Sequence, residues 1–124
     1  MSNKFLDHFG LLLISNVRDE SIRTWLQILD GQMKGKTAER MHGKFVSFSS
    51  NEISVIKEAI PEIVDSVLHH LLWTLEQHDD IRLSVKIADA VSNNLADISD
   101  GLSGELPTSE GWIGRFSSYP EGTS

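Results

Sequence analysis

Apolar residues recur along most of this chain with a helical period. Phe5, Leu6, Phe9, Leu12 and Leu13 share a spacing of three or four, which predicts a helix over 3–15. Ile22, Trp25, Leu26 and Leu29 predict a second over roughly 18–30, closed by Gly31 as its C′ residue. Residues 31–44, punctuated by three glycines, read as loop with one helical turn at 37–42, and Phe45 to Ser49 as a short extended piece. Ser49 and Glu52 form a capping-box pair, so a helix begins near 50. Pro61 lacks an N–H and is expected to kink or restart it. From 62 to 77, Ile63, Val64, Val67, Leu68, Leu71, Leu72 and Leu75 mark the dominant central helix and its core face.

After His78 the period changes. Ile81, Leu83, Val85 and Ile87 alternate with Arg82, Ser84 and Lys86, the pattern of a half-buried strand. Leu95, Ile98 and Leu102 suggest a helix or ordered turn over 92–103. Gly111 to Ser117 reads as a second strand with Trp112 and Phe116 on one face. The expected fold is α+β: three or four helices packed on a small antiparallel sheet of two or three strands. It forms a single globular domain over 1–118, with residues 119–124 as a loose C-terminal tail.

The 124-residue length suits one domain able to bury a core without staples. With no cysteine, disulfides, thiol nucleophiles, Cys-based zinc sites and iron–sulfur clusters are excluded. The net charge of −7 argues against general nucleic-acid binding. That charge is uneven: residues 1–46 carry seven basic and five acidic groups, whereas residues 47–124 carry four basic and thirteen acidic. The longest apolar run, Leu11 to Ile14, is too short for a secretory signal or a membrane helix, which favours a cytoplasmic location.

Several chemical motifs fail on spacing. Gly35-Lys36-Thr37 ends like a phosphate loop, but the required upstream glycine position is Asp30. Gly101-Leu-Ser-Gly104 stops short of a nucleophile elbow because Glu105 replaces the final glycine. The acids before Gly101 lack the glutamate that closes a calcium loop, Thr108 standing there instead. No catalytic residue, metal ligand or cofactor is therefore assigned.

Two groupings remain. Glu62, Asp65, Glu76, Asp79 and Asp80 form an acidic face on the central helix and its end, with Trp112 and Phe116 as an aromatic patch; together they suit a basic protein partner. Asp65, His69 and His70, joined by Asp100 and Glu105 from the later turn, form an alternative polar site for a small enzyme or metal-dependent sensor. Adjacent histidines point about 100° apart on a helix, so His69 and His70 do not readily grip one ion. His78-Asp79-Asp80 reads as a polar turn.

With Leu68-His-His-Leu-Leu-Trp-Thr-Leu-Glu76, Ser99-Asp-Gly-Leu-Ser-Gly-Glu-Leu106 and Gly111-Trp-Ile-Gly-Arg-Phe-Ser117, the chain resembles a small uncharacterised bacterial protein family, a domain of unknown function, over about residues 62–118. The resemblance implies a bacterial single-domain protein with a helix followed by a strand, turn and strand, and carries over no site residues. The leading expectation is a non-enzymatic acidic interaction protein, immunity-like or anti-effector, that blocks a basic partner. Alternatives are the small enzyme or sensor above and a structural homodimer.

Overall fold

The structure, a computed structural model, describes residues 3–121. Its helical elements are α1 (Lys4–Leu12), a π-helical segment (Leu13–Arg18), α2 (Asp19–Leu29), α3 (Lys36–Phe45), α4 (Ser50–Gln77), α5 (Leu95–Ile98), a 3₁₀ turn (Leu102–Glu105) and α6 (Trp112–Phe116). A two-stranded antiparallel sheet, β1 (Lys86–Ile87) and β2 (Ala90–Val91), lies between α4 and α5. The fold is mostly helical with a minimal sheet and one long helix.

α1, the π-helical segment and α2 form one uninterrupted helical run rather than two separate helices. Leu6, Gly10, Ile14, Arg18 and Ile22 are spaced four apart and are all buried. On an ideal helix that spacing drifts by about 40° per step. The π-helical segment, with more residues per turn, slows the drift and keeps the whole series facing inward. Asn3 caps the start, its Oδ1 accepting from the amides of Phe5 and Leu6. Gly31 ends the run as the sequence anticipates: at φ +74° its amide bonds to the Ile28 carbonyl, and that of Gln32 bonds to Gln27.

The segment expected to be a loop contains α3. His42 on α3 places Nδ1 3.0 Å from the Ile28 carbonyl, tying α3 to the end of α2. Three glycines obscured a helix whose stability comes from packing on α2 rather than from propensity. Residues 46–49 form a turn, not an extended piece.

α4 starts at the anticipated capping box, with the Glu52 amide bonding to Ser49 Oγ and the Ser49 amide to Glu52 Oε1. It then runs unbroken through buried Pro61, so the dominant helix spans 50–77 rather than 62–77. Packing on α2 at Ile60 and Val64 on either side of Pro61 sustains it. Only part of the apolar set on α4 is core. Leu68 and Leu72 are buried with Leu6, Leu13 and Ile14, while Ile63, Val67 and Leu71 face outward.

The period-two segment keeps its alternation from Leu83 on, Leu83, Val85 and Ile87 being half-buried and Ser84 and Lys86 exposed, whereas Ile81 is exposed and lies outside it. Only Lys86–Ile87 joins a ladder, pairing with Ala90–Val91 around a turn in which Ala88 has φ +53°. The preceding residues are held outside the ladder: the amides of Leu83 and Val85 bond to Asn94 Oδ1 and Ser92 Oγ, and their carbonyls accept from the amides of Leu95 and Ser92. The expected strand over 111–117 is instead α6, closed by Arg115 N–H to Gly111 O and Ser117 N–H to Ile113 O. Trp112 and Phe116 are four apart, a spacing compatible with either period, and no neighbouring strand completes a ladder. Tyr119 is not loose tail, since its carbonyl accepts from Arg18; residues 122–124 lie outside the described residues. Among the described residues no helix is long and apolar enough to cross a membrane.

Candidate functional site

α4 presents Glu58, Glu62, Asp65, His69 and Glu76 at separations of four, three, four and seven, which places them on one helical face. A cleft of about 650 Å³ opens against this face. Glu58, Glu62, Asp65, Ser66 and His69 line it from α4, Leu106 and Pro107 from the turn after the 3₁₀ segment, and Pro120 and Glu121 from the C-terminal segment. Glu62 and Asp65 were legible as candidates. Glu58 and Glu121 were missed; helical spacing pointed to Glu58, whereas only the folded chain brings in Glu121.

Arg18, which sequence reasoning passed over, anchors this region. Its side chain is 2% exposed. Nε and Nη2 donate to the two oxygens of Asp65 at 2.6 and 3.2 Å, a two-pronged pairing. Nη1 donates to Ser117 Oγ at 2.8 Å and to the Tyr119 carbonyl at 3.0 Å, and lies 3.4 Å from Asp19 Oδ1. Asp19, also buried, accepts from Ser117 Oγ and the Ser118 amide, each at 2.7 Å. One cation is thus balanced by two carboxylates, and the network straps residues 117–119 across the helical run. The signal for Arg18 was positional: a charge midway between Ile14 and Ile22 on an inward-facing series has to be buried and paired.

Glu76 is engaged by the fold. Its carboxylate accepts from the Ser103 amide, which pins the 3₁₀ turn to the end of α4. That amide holds the carboxyl below the ordinary glutamate range, with the Ser103 hydroxyl and a smaller influence of His69 adding to it. A carboxyl lowered on folding contributes stability that is present above the ordinary glutamate range and is lost as pH falls through the folded value. Glu76→Gln is therefore expected to flatten the acid side of the stability profile, measured by urea denaturation between pH 3 and 7. A profile as steep as wild type would contradict this assignment.

Asp79 and Asp80 occupy an exposed turn closed by the Ile81 amide on the His78 carbonyl, beyond the cleft. Trp112 is a correction: it is 0% exposed, packed edge-on to Phe9, and offers no surface anchor. Phe116 is half-buried against the same core, with the Arg115 guanidinium 4.8 Å from its ring centre. Trp73 is about half exposed.

The alternative polar site is not assembled. Asp65 and His69 border the large cleft, while Asp100 and Glu105 line a separate one of about 300 Å³ with Asp7 and Arg115. His70 turns away, its Nδ1 2.7 Å from the Ser66 carbonyl on its own helix. Among the described residues no three His, Asp or Glu side chains converge so as to hold a metal ion.

No family model, curated protein or solved structure matches this chain. What the cleft residues can do is electrostatic. Asp65 is already paired with Arg18, whereas Glu58 and Glu62 stand exposed at the rim, and α4 carries no lysine or arginine from Glu58 to Gln77.

Proposed function

We propose that this protein is a non-enzymatic interaction protein of the immunity or anti-effector kind, and that its acidic cleft takes up a lysine or arginine side chain of a basic protein partner. The observation that carries this reading is the composition of the cleft: four carboxylates line it, and the one guanidinium among its walls is already neutralised within the fold. Carboxylates at the rim steer a basic partner and raise its association rate, while the recessed walls limit which side chains enter.

The test uses a fluorescently labelled, lysine-rich glycine–serine peptide and fluorescence anisotropy at low ionic strength. Binding is expected, and to weaken as salt shortens the screening length. Glu58→Gln combined with Glu62→Gln is expected to reduce affinity about tenfold, roughly 1.4 kcal/mol. Asp79→Asn with Asp80→Asn, outside the cleft, is expected to change it far less. Absence of binding at low salt, or equal losses in the two double variants, would overturn the reading.

A further inference from the structure

The acidic row of α4 has an apolar neighbour that the proposed function leaves unused. Val55, Ala59, Ile63, Val67 and Leu71 follow one another at intervals of four and form a ridge that winds round α4 by about 40° per step, with Ile63 and Val67 at its centre. Val55, Ile63 and Val67 are each more than 60% exposed, and Leu71 is 45% exposed. Scattered exposed apolar side chains are ordinary, but an aligned series on one long helix is a docking feature. The next row round the helix contains Glu58, Glu62 and Ser66, which also line the cleft. Ridge and cleft are therefore contiguous: an apolar strip bordered along one side by carboxylates.

We propose that this strip and the cleft beside it together dock a cationic amphipathic helix, the ridge meeting the helix's apolar face and Glu58 and Glu62 its lysines or arginines. The proposal rests on the cleft reading above and specifies the form of the partner segment. Because the ridge winds round α4, a partner helix crossing it obliquely meets about two turns, centred on Ile63 and Val67. Ala59, the smallest ridge residue, gives a partner side chain room between Val55 and Ile63, as interlocking ridges require. Charge decides between occupants. A second copy packed through the same strip would bring the same carboxylates to the contact, and Lys57, the one lysine or arginine on α4, sits near one end of the strip and pairs with Asp30. An extended basic segment would satisfy the cleft but leave the ridge in water. An amphipathic basic helix satisfies both.

Two labelled peptides of equal length and lysine count separate these cases. One places leucines at helical spacing opposite its lysines; the other has glycine and serine in place of leucine. The amphipathic peptide is expected to bind at least tenfold more tightly. Ile63→Ser with Val67→Ser is expected to abolish that advantage while leaving the glycine–serine peptide's affinity unchanged. Both positions are exposed, and circular dichroism checks that α4 persists; Val67→Ala serves as a milder second variant with a smaller loss. If both peptides bind equally, or the ridge variants change nothing, the inference falls while the cleft reading stands. If neither binds, the cleft reading has failed and the inference falls with it. If light scattering finds a dimer that the ridge variants dissociate, the strip belongs to a second copy and the inference is overturned.

Discussion

Replacing Arg18 with methionine is expected to destabilise the protein by about 3–5 kcal/mol, the range for removing one partner of a buried ion pair. In a domain of this size that lowers the thermal midpoint by on the order of 10 °C or more. The loss of packing is small, because methionine fills much of the same stem volume. The cost arises from what remains: Asp19 is buried, and Asp65 loses both of its donors at once. The Tyr119 carbonyl and Ser117 hydroxyl lose their shared anchor as well, so the 117–119 strap should loosen and expose its amides to hydrogen exchange. Arg18→Lys tests the same point more finely. An ammonium cannot reproduce the fork that reaches Asp65 on one side and Ser117 and Tyr119 on the other, so it should recover only part of the loss. A melting midpoint within 2–3 °C of wild type for Arg18→Met would show that the network is not what holds this region together.

The second large effect is expected at Trp112. Truncation to alanine should cost about 3–5 kcal/mol, as for other large aromatics removed from a core. The more informative comparison is Trp112→Phe. Among the described residues Trp112 Nε1 is buried with no hydrogen-bond partner, and the indole lies against Gly10, where even a Cβ would come 2.5 Å from the ring. Leaving a buried donor unpaired costs about 1–3 kcal/mol. Phenylalanine removes that donor along with some volume, so its penalty should be well below that of alanine and of the order of 1 kcal/mol. Gly10→Ala pushes from the opposite side and should cost about 1–3 kcal/mol through overpacking. Combined with Trp112→Phe, its penalty should shrink, and chemical denaturation of the two single variants and the double variant measures that coupling. Strict additivity would mean the two positions do not press on one another.

The features legible in the sequence were those encoded locally. The capping box at Ser49 and Glu52, the Gly31 terminus and the alternation of Leu83, Val85 and Ile87 each depend on a few neighbouring residues, and each is present. Features that depend on distant partners were not legible in the same way. α3 lies in a stretch flanked by Gly31 and Gly35 and interrupted by Gly43, and it gains its stability from α2, so the local sequence resembles a loop. α6 has a four-residue spacing shared by helix and strand, and only the absence of a partner strand decides the matter. In the site, Glu62 and Asp65 stood out because they alternate with apolar residues on a strongly periodic helix. Arg18 did not, because a charge on a core-facing series reads as an interruption until Asp65, 47 residues away, is seen beside it. The exposed ridge was hidden for the opposite reason. Hydrophobic period alone assigns every apolar residue of α4 to the core, and the fold has neighbours for only one side of that helix.

The strap that satisfies Arg18 has a consequence for how the chain is made. Asp65 is 47 residues downstream of Arg18, and Ser117 and Tyr119 are 99 and 101 residues downstream. During synthesis the guanidinium and the neighbouring Asp19 carboxylate emerge early, yet most of the groups that pair with them arrive only when almost all of the residues described here have left the ribosome. Until then both charges are better kept in water, which opposes closing the first helical run onto α4 around them. Complete pairing of Arg18 and Asp19 therefore becomes possible only once residues 117–119 are present.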